Sequence, residues 1–184
     1  MQKAYKTERL ILRVIDTSYT ELVIDYYERN KSFLEQWETV KTPEFYQKQY
    51  QKQQIVNDLA SIENLRSFRL WIFKKEDMNT IIGSVVFDNI VWGAFLSCHL
   101  GYKLDKDEIN KGYMTEAIQK GIEIVFNEFG LHRIEANIMP RNKRSMRVVE
   151  KLGFYNEGLA HKYLRINGKW EDHIHMVLLN EKIQ

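Results

Sequence analysis

The strongest constraint on this chain lies in the stretch between residues 97 and 130. Residues 97–104 (SCHLGYKL) read as a strand broken in its middle by Gly101. A glycine inside a strand pattern marks a bulge or a place where a ligand approaches the backbone closely. A polar loop follows, and then Met114, Ile118, Ile122, Val125 and Phe129 recur every three or four residues, the helix period. Gly130 supplies the stop for that helix. Strand, glycine-bearing loop and amphipathic helix in this order make the chain a mixed α/β protein.

The remaining segments extend the same pattern. Residues 7–15 suit a buried strand, and residues 19–37 a helix with Leu22, Tyr26, Phe33 and Trp37 near one face, interrupted by Asn30. Pro43 is expected to open a second helix running to about residue 65, with Tyr46, Tyr50, Leu59 and Ile62 on its apolar side. Residues 67–73 and 81–87 read as strands, the first with Phe68, Leu70 and Ile72 alternating. Residues 133–138 form a further strand, and residues 142–152 a short helix capped by Gly153. Two closing strands, 154–166 and 173–179, flank Asn167-Gly168, a strong hairpin signal. No linker or repeat divides the chain, so one domain over residues 1–184 is expected.

Composition narrows the classes. Twenty-seven Lys+Arg against 25 Asp+Glu leave a formal charge of +2, too balanced for a protein that coats nucleic acid through many phosphate contacts. Two prolines and nine glycines exclude collagen-like and low-complexity chains. Cys98 is the only cysteine, which leaves no internal disulfide and no cysteine-based zinc cage and fits a reducing cytoplasm. No run approaches the 18 to 20 apolar residues of a membrane span.

The loop before the helix (Ile109, Asn110, Lys111, Gly112, Tyr113, Met114, Thr115) has the layout of an anion cradle. Free N–H groups at a helix start face outward, and the helix dipole adds positive character. Gly112 would admit a phosphate and Lys111 would add charge. Neither a Walker motif nor G-x-G-x-x-G is present, so read by itself this remains an ordinary loop-to-helix junction as readily as a phosphate site.

The wider sequence resembles the GNAT N-acetyltransferases, in particular the RimJ/RimL group and within it the RimJ-like branch. The resemblance is carried by TERLILR, LGYKLD, NKGYMTEA, LHRIEANIMPRNKRS, EKLGF and EGLAHKYLRINGKWEDH, almost continuous from residue 97 to 175. It implies a mostly antiparallel sheet of about seven strands with about four helices. The fourth and fifth of those strands would splay to admit the pantetheine of acetyl-CoA. The splay falls at Gly101, with Tyr102, Lys103 and Leu104 offering backbone groups. The pyrophosphate loop falls on Ile109–Met114, the asparagine of the next helix on Asn142 and the Rim-type serine on Ser145. Ile109, Asn110 and Met114 depart from the usual loop residues, and Val149 stands where many acetyltransferases carry a tyrosine.

The resemblance implies direct attack of an amine on the thioester, with a backbone N–H near Gly101 or Tyr102 stabilising the oxyanion and Ser145 donating to the departing sulfur. Glu108, Asp105, Asp107 and His99 are candidate bases, with Glu108, acting through water, put first; the same carboxylates also suit a solvated acidic loop. Cys98 is read as a small buried residue, not a nucleophile. Arg141, Lys143, Arg144 and Arg147 form a basic cluster that suits a solvated face, CoA phosphates (Arg144) or an acidic partner such as the ribosome. The implied acceptor is the N-terminal amine of a ribosomal protein, with a small amine or a non-catalytic CoA-binding role as alternatives. A homodimer is a candidate assembly; no metal, membrane or sequence-specific nucleic acid is expected.

Overall fold

The computed structural model describes residues 3–183. Its centre is an eight-stranded sheet with spatial order β1-β2-β3-β4-β5-β6-β8-β7. The strands are β1 (Ala4–Lys6), β2 (Leu10–Arg13), β3 (Phe68–Lys74), β4 (Gly83–Val91), β5 (Ser97–Leu104), β6 (Arg133–Ile138), β7 (Tyr155–Ile166) and β8 (Lys169–Leu179). Every neighbouring pair is antiparallel except β5 with β6. The strand expected over residues 7–15 is the second arm of a hairpin, because Thr7 turns the chain: its amide donates to the Leu10 carbonyl and its hydroxyl accepts from the Leu10 amide.

Helices cover both faces. On one lie α3 (Tyr113–Asn127) and α4 (Lys143–Lys151), whose Met114, Ala117, Ile118, Ile122, Val125 and Val149 enter a core with Leu10, Leu70, Val85, Phe87, Cys98 and Ile134. Each such fully buried apolar side chain contributes roughly 1.5–3 kcal/mol relative to exposure. On the opposite face α1 (Thr20–Leu34) and α2 (Lys48–Glu63) pack Val23, Tyr26, Leu34 and Ile55 against Trp71, Phe73 and Ile81.

Three sequence expectations are corrected. Pro43 opens a single 3-10 turn, Pro43–Tyr46, and extended Gln47 breaks the chain before α2 begins at Lys48. Tyr50, expected on the apolar side of α2, is exposed, while Gln51 and Ile55 are buried. Asn30, read as an interruption of α1, is fully buried and sits within its packed face. Its side chain donates to Asp105 and accepts from the Lys106 amide, holding the loop that leaves β5. The Asn167-Gly168 turn is as tight as expected, with both residues at positive φ and Ile166 paired to Lys169; β8 therefore starts at Lys169, earlier than the sequence implied.

Candidate active site

β5 and β6 begin as a paired ladder and then part. Their register ends at His99↔Glu135, so from Leu100 onward β5 has a partner only on its β4 side. The Asp105 amide donates to the Ile82 carbonyl of the strand's β4 flank, and ladder alternation then turns the backbone of Lys103 and Gly101 toward β4 and that of Leu100, Tyr102 and Leu104 toward the gap. Lys103 thus brings its side chain to the site and spends its backbone on β4. The parting starts one residue before Gly101, the position expected for it.

A cavity of about 590 Å³ runs through this gap to both faces of the sheet. On the α3/α4 side it is lined by Asn110, Gly112, Met114, Thr115, Asn142, Ser145 and the cationic Arg144, Arg147 and Lys151. On the other side β-sheet register aligns Arg69, Ser84, Val86, Gly101, Lys103, Asn137 and His173 on one face, roofed by Phe33, Trp37 and Glu38. Lys111, Tyr113 and Glu108 lie outside the lining.

The loop from β5 to α3 is anchored at both ends. Asp105, 4% exposed, accepts from the Arg29 Nε (2.8 Å), Asn30 and the Asp107 amide. Burial opposes its charge, but those hydrogen bonds and the Arg29 guanidinium win and hold the carboxyl below its usual range. Asp105 is thereby the anchor of the turn. At the far end Arg9 donates to the Lys111 carbonyl (2.9 Å) and to Glu116 (2.7 Å), with its guanidinium 4.6 Å from the Tyr113 ring centre. Thr7 donates to the same Glu116 at 2.6 Å.

Between these anchors Asn110 and Gly112 both adopt left-handed backbone, φ 62° and 83°. Successive turns of this kind fold amides into a concave nest for anions. Asparagine tolerates that conformation better than other side-chain-bearing residues, which explains how it stands where the family has glycine. No side chain caps the start of α3, leaving its first amides for a ligand.

Ser145 is placed by Asn142, whose Oδ1 accepts from the Ser145 amide as the cap of α4. Its Oγ lies 2.6 Å from the Tyr102 hydroxyl, which also lies 2.9 Å from the Ser145 carbonyl. Burial pushes the Tyr102 phenol well above its ordinary pKa, against the Ser145 hydrogen bond, so it stays protonated. The sequence pointed to the Tyr102 backbone alone; its phenol was missed because Ser145 is 43 residues away in the chain.

Glu108 sits between Lys74 (3.0 Å) and Lys111 (2.9 Å). Burial raises its pKa, but the two ammonium groups outweigh that and hold it low. His99 lies near Glu135 and Asn89 at the apex where the strands part. Cys98 is fully buried, its thiol pushed up by burial and then by Asp88. In the basic cluster, Arg141 is occupied with the segment after α1, donating to the Gln36 carbonyl (3.1 Å) and lying over Trp37. Glu38 pairs with Lys103 and Lys41. Among the described residues no group of His, Cys, Asp and Glu is arranged to hold a metal ion, and no helix is long and apolar enough to cross a membrane.

A sheet parted between two parallel strands, with an amide nest at the mouth of the gap, defines an acyl-CoA-type transferase scaffold. The GNAT acetyltransferase domain matches residues 9–155, and the chain belongs to that family of N-acetyltransferases. It is 37% identical over 175 residues to the probable N-acetyltransferase YjcK of Bacillus subtilis, covering 95% of this chain and 96% of that one. It is 36% identical over 170 residues to the [ribosomal protein uS5]-alanine N-acetyltransferase of Escherichia coli, covering 91% and 86%. The structure of the ribosomal-protein-S5-alanine acetyltransferase from Vibrio fischeri superposes with TM-score 0.93 at 34% identity over 99% of both chains.

Proposed function

We propose that this protein transfers the acetyl group of acetyl-CoA to the N-terminal amine of a protein, a ribosomal protein beginning with alanine being the first candidate. The observation that carries the reading is the gap itself: the free backbone of Leu100, Tyr102 and Leu104 faces a cavity open to both sides of the sheet. Pantetheine lies against that edge like an added strand, and the pyrophosphate rests in the nest of Asn110 and Gly112. Arg144, Arg147 and Lys151 supply positive charge to the phosphates. A structure of the same fold, a RimJ from Mycobacterium smegmatis, is in complex with CoA-disulfide, and the alanine specificity named for the Escherichia coli and Vibrio fischeri proteins supports the acceptor.

The amine attacks the thioester carbonyl from the face of Gly101 and Lys103. A gap-facing amide, that of Tyr102, stabilises the oxyanion, a contribution of roughly 2.7–4 kcal/mol for a fixed donor. The departing thiolate takes a proton from the Ser145–Tyr102 hydroxyl pair. An α-amine suits this site: with a pKa of ~7.7–8.0, roughly a tenth is neutral at pH 7, against about one lysine side chain in 2,500. In this reading Glu108, paired with Lys74 and Lys111, holds the loop, and that pairing supports leaving it out of the proton transfer.

The test is CoA release with acetyl-CoA and two acceptor panels, one of peptides with different first residues and one of polyamines, aminoglycosides and amino acids. Turnover of alanine-initiated peptides, lost when their N-terminus is blocked, is expected. Turnover of small amines with no peptide acetylated overturns the protein-acceptor reading.

A further inference from the structure

The acceptor half of the cavity must take up the proton of the attacking amine, and few of its side chains can. Its lysines and arginines are already cationic. The Glu38 carboxylate is held by Lys103 and Lys41; burial raises its pKa, but those two cations bring it down, leaving a poor proton acceptor. Glu108 lies outside the lining, between two lysines.

His173 is different. It lines the cavity and is 3% exposed. Its Nδ1 lies 3.0 Å from the Glu171 carbonyl. A carbonyl only accepts, so Nδ1 carries the hydrogen, and the neutral ring has its lone pair on Nε2. Among the described residues none hydrogen-bonds Nε2. The ring is fixed from the β7 side by Tyr163, 5.5 Å between ring centres.

The register places the ring. Ile174 pairs with Ile138 and His175 with Asn137, so His173 stands opposite Met139 where β6 ends, on the same face as Asn137. That face also carries Gly101, across the gap. His173 is therefore one strand spacing, about 4.8 Å, from the edge of the gap.

Resting on the acetyl-transfer reading above, we propose that His173 is the general base of the reaction, receiving the amine proton at Nε2. The amine lone pair forms the N–C bond, an N–H proton passes to Nε2, and the C–S bond breaks with its electron pair going to sulfur. Sulfur is protonated from the Tyr102–Ser145 hydroxyls. His173 then releases its proton to solvent, which restores the hydroxyl proton.

The surroundings keep the ring neutral at pH 7. Burial lowers its pKa below the ordinary histidine value, with His175 acting in the same direction; the Glu171 carbonyl, the Glu171 charge and Asp172 oppose it more weakly. Glu171 is drawn toward Arg141 on the turn after β6 (3.5 Å). Among the cavity's lining residues on this side the charged groups are Arg69 and the Lys103–Glu38 pair; farther along the same face stand Asp88, His99, Arg133 and Glu135, and β7 contributes the Tyr163 phenol.

The test pairs two substitutions in the full-length enzyme. His173→Asn retains an N–H for the Glu171 carbonyl but has no basic nitrogen; His173→Gln sets an amide near the Nε2 position. Rates are normalised to acetyl-CoA binding sites counted by calorimetry. Both variants are expected to lose at least a hundredfold in kcat, in keeping with general-base catalysis, with acetyl-CoA affinity within twofold of wild type. Wild-type kcat/KM is expected to fall below the amine's own pKa of ~7.7–8.0. It should fall more steeply again below the ordinary histidine value of 6.5, where His173 takes up a proton. Both variants should keep the first break and lose the second. A His173→Asn enzyme within threefold of wild type and retaining the second, steeper break overturns the proposal, leaving the ring as a peg for the Glu171 carbonyl. A wild type that acetylates no amine overturns the functional reading, and this step with it.

Discussion

At the scale of single residues, the mechanism proposed above makes the proton donor to sulfur a pair and not one side chain. The family tyrosine position on α4 is Val149, which is fully buried in the core, yet a phenol reaches the same region from β5. Tyr102 and Ser145 share a 2.6 Å contact, so each can supply the proton that the other relays. Ser145→Ala is expected to lower kcat at least tenfold, and Tyr102→Phe by a similar factor, both with little change in acetyl-CoA affinity. The double variant should fall little further than the worse single, because both changes break one unit. Steady-state kinetics with calorimetric binding checks this, and fully multiplicative losses would mean that the two hydroxyls act separately. Ser145 was legible because a helix start and a motif mark it. The Tyr102 phenol was not: strand periodicity says which face a residue takes, not which distant helix meets it.

Two contacts between elements decide how the scaffold holds its loop. TERLILR and NKGYMTEA stand out as separate motifs, but the fold joins them: Thr7 and Arg9 of the first both grip Glu116 of the second, and Arg9 also holds the Lys111 carbonyl. Arg9→Gln should weaken acetyl-CoA binding about three- to tenfold while leaving kcat within twofold, measured as KM for acetyl-CoA. A kcat loss without a KM change would remove the clamp from the argument. The second contact is the crossing of α3 over β4. A Cβ at Gly121 would come within 2.6 and 2.7 Å of the Phe87 ring, which is itself fully buried. In an exposed helix, Gly→Ala gains about 0.8–1 kcal/mol; here overpacking costs roughly 1–3 kcal/mol. Gly121→Ala is therefore expected to destabilise by about 1–2 kcal/mol, read as a lower urea midpoint at unchanged slope. The α3 periodicity was legible in the sequence. The need for glycine at that point was not, since it depends on how closely the helix approaches one ring.

For the whole molecule, the order of elements was largely legible from periodicity, while the mostly antiparallel sheet and the parted strands were accessible only as what the family resemblance implies. The cavity's second face was accessible from neither, because its residues come from β3, β4, β5, β6, β8 and the end of α1, and only sheet register aligns them. The same long-range assembly sets how stability responds to acid. Asp105 ties α1 to the end of β5, Glu108 ties the loop to β3, Glu116 ties the start of β2 to α3, and Glu135 lies against His99 of β5 and His175 of β8. Burial raises each carboxyl's pKa, but hydrogen bonds and cations more than reverse this, leaving all four below their ordinary values. A depressed folded pKa gives stability that is complete above the unfolded value, 3.8 for Asp and 4.5 for Glu, and is lost as pH falls through the folded value. Asp58 and Asp88 act with the opposite sign, because burial, their largest influence, leaves them raised. Glu38, Glu44, Asp77, Glu157 and Asp172 are held low besides the four anchors, nine carboxyls against two raised. His173 is held neutral below the ordinary histidine value of 6.5. Tm should therefore begin to fall below about pH 6.5 and fall more steeply below about pH 4.5. Three of the four anchors hold the loop or the helix behind it, so acetyl-CoA binding should weaken over the lower interval. Asp105→Asn, which leaves Arg29 without its buried partner, should lower Tm at pH 7 and flatten its dependence below pH 4.5. Calorimetric scans between pH 3 and 7 decide the matter: a Tm that holds or rises down to pH 3 would show that the raised carboxyls dominate and that the anchors contribute nothing net.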